Sequence, residues 1–130
     1  MAQGSARRLA DEAKVLPIHR RPVDLEHLAK QTLGDELLGH EVLRLFDQTA
    51  RTIYGRLEAS TTIEQLLMQL HTLKGAASGV GAWAIADLAR LAESELKAGA
   101  PVSPERIDDI GLAVHEVCAF ISELCGPDSP

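Results

Sequence analysis

The chain has 130 residues, enough for one domain around one core. It is 45% hydrophobic and 25% charged but only 3% aromatic, so its core must be built from Leu, Ile, Val and Ala, which favours packed helices over a sheet. A formal charge of −6 without a dense basic stripe argues against nucleic acid as a partner, and Arg7-Arg8 and His19-Arg20-Arg21 are too short to change that.

Residues 1–22 show no sustained periodicity and are interrupted by Pro17 and Pro22, so a flexible N-terminal tail is expected, with a helical turn over residues 6–15. Asp24 then caps a short helix through Leu25, Leu28 and Ala29, and Gly34-Asp35 punctuates the chain. A long amphipathic pattern follows, with its stripe at Leu38, Val42, Leu45, Phe46, Thr49, Ile53 and Leu57. Ser60-Thr61-Thr62 ends that helix and starts the next, with Glu64 as the capping-box partner of Thr61. The third pattern buries Ile63, Leu66, Leu70, Leu73, Ala77 and Val80 up to a turn at Gly79-Val80-Gly81.

The fourth runs through Ile85, Leu88, Leu91, Ala92 and Leu96, with Lys97 in its last turn and Gly99 as its stop. Ser103-Pro104 caps the last helix, which presents Ile107, Ile110, Val114, Val117, Cys118, Ile121 and Leu124 before Gly126-Pro127. The expected fold is all-α: an antiparallel up-down four-helix bundle over residues 23–126 with a short additional N-terminal helix, and a C-terminal tail over residues 127–130.

Cys118 and Cys125 share a helix face about 10 Å apart along the axis, too far for a bridge. Reduced cysteines, no apolar run near the ~20 residues of a membrane helix, and no signal core after Met1-Ala2-Gln3-Gly4 point to a soluble cytoplasmic protein without membrane contact. His19, His27, His40 and His115 show no metal spacing, and the glycines at 75, 79 and 81 lack the context of a nucleotide loop.

His71 is different. On a helical wheel with Ile63 at the origin, Leu66, Leu70, Leu73, Ala77 and Val80 fall between about 260° and about 340°, whereas His71 falls at about 80°. Ser78 lies at about 60°, Gly75 at about 120° and Lys74 at about 20°, so these four share a patch at the rim of the bundle. Lys74, one turn on, can place an ammonium beside a phosphate on the ring, and Gly75 removes a side chain that would crowd it. An unperturbed imidazole, with a pKa of about 6.5, is a competent nucleophile near neutrality. If the following hairpin turns at Gly81-Ala82, residues 90–97 face His71, with Glu93 nearest to level as an acceptor for one ring nitrogen and Lys97 or Arg90 as a phosphate partner.

The string His71-Thr72-Leu73-Lys74-Gly75-Ala76-Ala77 with Val80-Gly81 resembles the signature of histidine-containing phosphotransfer (HPt) domains, and the helix pattern is similar to theirs over residues 23–124. Gly34-Asp35 leading into Val42-Leu43-Arg44-Leu45-Phe46 also resembles the family's second helix. The resemblance implies a phosphorylatable histidine matched by His71, a phosphate-contacting lysine matched by Lys74 and an uncrowded glycine matched by Gly75. Glu93 occupies the position, on the helix after the histidine's, where the family often carries Gln or Glu, and Lys97 matches the basic position one turn later. Ser78-Gly79 reverses the family's Gly-Ser order.

The expected function is a phosphorelay in two-component signal transduction. His71 takes a phosphoryl group from a phospho-aspartyl response-regulator receiver and passes it to another, in a system headed by a hybrid or sensor histidine kinase. Mg²⁺ is expected in the receiver and no cofactor in this chain, which should have no kinase or ATP-binding activity and be monomeric. Leu67, His71, Lys74, Gly75 and Ser78 are the expected docking residues. The competing readings are a helical adaptor without chemistry and a kinase's phosphoacceptor domain.

Overall fold

The computed structural model describes residues 21–126, so most of the expected N-terminal tail and the C-terminal tail lie outside the described residues. Among the described residues five helices follow in order: α1 (Leu25–Gln31), α2 (Glu36–Ala59), α3 (Ile63–Val80), α4 (Trp83–Lys97) and α5 (Pro104–Cys125). Among the described residues there is no strand, and the four long helices pack as a closed ring in which α3 contacts α2 and α4 while α5 contacts α2 and α4. This is the expected bundle with its short extra helix.

Local chemistry starts every described helix but α4, whose N-cap is Ala82, where a short polar side chain can accept a free backbone N–H. Asp24 accepts from His27, Asp35 from Leu38, Thr62 from Gln65 and Ser103 from Arg106. The α3 cap is therefore Thr62 and not Thr61. Gln65, not Glu64, completes the cap by accepting from the backbone N–H of Thr61 at 2.8 Å. At the far end of α5, Arg44 donates to the Cys125 carbonyl at 2.6 Å and satisfies one of the helix's open acceptors.

The core is aliphatic, with Leu43, Leu57, Leu70, Leu73, Ile85, Ile110 and Ile121 fully enclosed. Three alanines of α4, Ala86, Ala89 and Ala92, are buried and let its neighbours approach closely. On α2 the buried stripe is Gly39, Leu43, Phe46, Ala50, Ile53 and Leu57. Leu38 and Leu45 lie outside it and are exposed, contrary to expectation, while Val42 is half-buried. Gly39 is buried in place of Leu38 because α2 meets α1 at close range there: a Cβ on Gly39 would already touch Leu28 at 3.6 Å. Ile63 and Leu91 are likewise more exposed than their spacing suggests. No disulfide joins the cysteines, and burial pushes the Cys118 thiol up to about 11, which keeps it protonated.

The α3–α4 turn is fixed by Gly81, which closes α3 with φ of 83° and sends its N–H back to the α3 end. Its carbonyl accepts from the Asp24 backbone at 2.9 Å, and the Trp83 indole donates to the Asp24 carboxylate at 2.9 Å. One aspartate thus caps α1 and fastens it to the hairpin. A Cβ at Gly81 would stand 3.0 Å from both Cβ and carbonyl oxygen of Asp24. Gly81→Ala should therefore cost more than Gly99→Ala, where φ is 90° but nothing lies within 4 Å. The left-handed backbone alone costs about 1–2 kcal/mol, and each kcal/mol lowers Tm by roughly 4–8 °C in a domain of this size. Thermal unfolding of both variants should show a drop at Gly99 and a larger one at Gly81.

Candidate functional site

His71 stands on the outer face of α3, with 71% of its side chain exposed. Across the hairpin, Glu93 of α4 is buried, its side chain only 7% exposed. The two meet through His71 Nδ1 and Glu93 Oε2, 3.3 Å apart. A carboxylate can only accept, so Nδ1 carries the hydrogen, and in the neutral form of the ring the lone pair then lies on Nε2.

Glu93 also collects two cations. Lys74 Nζ, one turn along α3 from His71, lies 2.8 Å from Oε1, and Lys97 Nζ, one turn along α4 from Glu93, lies 3.3 Å from Oε2. The hydrogen bond from Lys74, aided by Lys97 and opposed by burial, holds the carboxyl at about 2, so it stays ionised through the physiological range. The hairpin register that the Gly81 turn imposes therefore gathers His71, Lys74, Glu93 and Lys97 into one cluster.

The other expected residues fall differently. Gly75 is exposed, and a Cβ there would meet nothing within 4 Å, so close helix packing is not its reason for being glycine. Gly79, one turn on, is equally open. Ser78 is half-buried, with its backbone carbonyl accepting from Gly81. Arg90 points to Asp87 at 3.9 Å and not to the cluster. Leu67 is half-buried against the core, and the exposed apolar side chain beside His71 is Met68, at 64%. Sequence could have found it, because Met68 falls at about 140° on the same wheel, opposite the core arc, whereas Leu67 falls at about 40°.

This arrangement offers an exposed imidazole with one nitrogen tied down, cations beside it and a side-chain-free strip one turn away. A family model described as Hpt domain matches residues 41–124. The chain belongs to the Hpt domain family. Neither a curated protein nor a solved structure gives a match. An Hpt domain implies a histidine phosphotransfer role in phosphorelays, exchanging with receiver domains and kinases, and within the matched segment His71 is the histidine with this environment. No helix among the described residues is long and apolar enough to cross a membrane.

The depressed Glu93 carboxyl has a measurable consequence. Its folded value of about 2 lies below the ordinary 4.5, so the ionised cluster stabilises the fold above that ordinary value and loses its contribution as pH falls from about 4.5 towards about 2. Urea unfolding should show wild type more stable than Glu93→Gln at neutral pH, with the difference closing across that acid window. A difference constant down to pH 2 would contradict the cluster.

Proposed function

We propose that this Hpt domain relays phosphoryl groups through His71 Nε2, accepting from the phospho-aspartate of one receiver and delivering to the aspartate of another. The observation that carries the reading is the exposed His71 ring with Nδ1 held by buried Glu93. In the forward step the Nε2 lone pair forms the N–P bond as the acyl phosphate P–O bond breaks, and the receiver's aspartate leaves as a carboxylate. No proton needs to move: the Nδ1–H stays against Glu93, whose charge offsets the positive charge that grows on the ring. Lys74 and Lys97, already beside Glu93, can turn to the incoming phosphoryl oxygens. Mg²⁺ belongs to the receiver's acidic pocket in this reading. The receiver docks over Met68, His71, Gly75 and Gly79, where α3 presents little side-chain bulk.

Incubation with a phosphorylated receiver should place acid-labile phosphate on wild type and none on His71→Gln. Equal labelling of the two, or none of either with every receiver of the source organism, refutes the reading. An adaptor without chemistry would bind receivers and take no label. Lys74→Ala should slow transfer by about tenfold or more, as loss of a positioned charged donor does. Gly75→Leu separates fold from docking. It should raise Tm slightly, since leucine favours a helix by up to about 1 kcal/mol over glycine and has open space here, yet depress the transfer rate at least about tenfold by standing in the partner's path.

A further inference from the structure

At the site, α3 presents two flanks. Lys74 and His71 lie at about 20° and about 80° on its helical wheel, on the flank that meets Glu93 of α4. Gly75, Met68 and Gly79 lie at about 120°, about 140° and about 160°, and Thr72 lies at about 180° on the flank that meets α2. The low strip therefore leans away from the lysines, and a body lying over it next meets α2.

The α2 flank is open. A cleft of about 370 Å³ separates Thr72 from Gln48, Thr49, Thr52 and Arg56 of α2. Arg56 also borders a second cleft of about 250 Å³, with Gln65 and Gln69 of α3 on its other wall. These clefts set the level of each residue: Arg56 stands beside the turn of Gln65 and Gln69, and Thr52 beside Thr72. The two helices run antiparallel across the short link at Ser60-Thr61-Thr62. Two turns from Thr52 towards the start of α2 therefore match two turns from Thr72 towards the end of α3, which brings Leu45 level with Gly79. Leu45, Thr52 and Arg56 lie within about 40° around α2, so they share this flank.

Folding leaves two of these side chains unused. Leu45 is 64% exposed. Arg56 is exposed and has no carboxylate partner among the described residues, whereas Arg51, Arg90 and Arg106 each hold one. The leucine and the guanidinium stand about 16 Å apart along α2, with His71 level with the stretch between them. An open apolar side chain beside a glycine and a cation beside a cleft thus flank His71 on the side that the lysines leave free.

We propose that the partner receiver is recognised across the α2–α3 groove: an apolar side chain of the receiver packs on Leu45 over Gly79, and a receiver carboxylate pairs with Arg56. The proposal rests on the relay reading and adds which side chains choose the partner. Lys74 and Lys97 have to stay available to phosphoryl oxygens, so contacts that discriminate between receivers fall on the opposite flank, where they do not interfere with transfer. A receiver with a basic side chain opposite Arg56 is repelled.

The probe is the phosphorylated receiver that binds the wild-type chain most tightly. Leu45→Asp and Arg56→Glu should each raise the receiver concentration for half-maximal transfer at least about tenfold, and leave the rate at saturation within about twofold, since neither side chain reaches the phosphoryl group. Leu112→Asp alters another open leucine, on α5, which does not contact α3, and should change neither value. An unchanged half-maximal concentration in either α2 variant overturns the proposal and leaves the relay intact. Both α2 positions are exposed, so Tm should stay within about 4 °C of wild type. Leu45→Ala and Arg56→Ala, which add no charge, should shift the same concentration in the same direction by about threefold. Docking without transfer is read by calorimetric titration of the unphosphorylated receiver into His71→Gln, which should bind at least about tenfold more tightly than His71→Gln with Leu45→Asp. Equal binding of these two overturns the proposal, and weaker binding of the second upholds the surface even where no receiver labels the wild type and the relay reading itself fails.

Discussion

A carboxylate taken out of water must recover its lost solvation from the protein, and Glu93 does so from three side chains on two helices. Oε1 takes Lys74, and Oε2 is shared by His71 and Lys97. Removing the acid would leave two ammonium groups side by side without a counter-charge, so the cluster cannot be assembled piecemeal. Its geometry requires that α3 and α4 stand at one register. That register is set at the turn, where Gly81 adopts a left-handed conformation and its carbonyl meets Asp24. The chain of dependence therefore runs from a glycine and an aspartate at the end of the bundle to the orientation of an imidazole several turns away.

The same cluster explains how one site can serve both transfer directions in the proposed relay. At rest, two lysines and one carboxylate leave a single positive excess around the ring, suited to a doubly charged phosphoryl group in transit. The lysines differ in freedom, Lys74 being 31% and Lys97 65% exposed. Lys74 sits on the helix of His71 and moves with it, while Lys97 reaches in from the rim. A cation held by Glu93 before the partner arrives needs only a short swing to reach phosphate, so little reorganisation accompanies the step. Because Glu93 stays ionised, the Nδ1 hydrogen keeps its acceptor whether Nε2 is free or phosphorylated.

Helix number, order and approximate ends were legible because apolar spacing, caps and glycine stops agree along most of the chain. Where they gave two answers the sequence could not choose. Thr61 with Glu64 and Thr62 with Gln65 both satisfy the spacing of a capping box, and only the three-dimensional path of the α2–α3 link selects the second. The α2 stripe held at Phe46, Ile53 and Leu57 and missed at Leu38 and Leu45: weighting by hydrophobicity favours leucine, whereas the buried face includes Gly39, which lies against Leu28 of α1, and Ala50. The position of Glu93 opposite His71 could be read from the hairpin's symmetry about Gly81-Ala82. Its burial, and its capture of Lys74, could not, since these depend on how far α3 and α4 are rotated about their axes.

The outer face of α3 shows what folding alone leaves unexplained. Glycine inside a helix costs about 1 kcal/mol relative to alanine. Gly75 and Gly79 sit one turn apart at positions where a Cβ would meet nothing within 4 Å. Internal packing therefore gives no return for either, in contrast to Gly81, where the backbone conformation demands it, and Gly39, where a neighbouring helix stands close. The packing of Leu70, Leu73 and Ala77 on the opposite face holds α3 together despite this cost. Beside the two glycines stand an exposed Met68, whose flexible thioether adapts to irregular surfaces, and His71 itself. A strip that is low, partly apolar and centred on His71 is not shaped by internal packing. In α3 the buried half of the helix answers to the bundle, and in the proposed relay the exposed half answers to a partner whose phosphoryl group must come within bonding distance of Nε2.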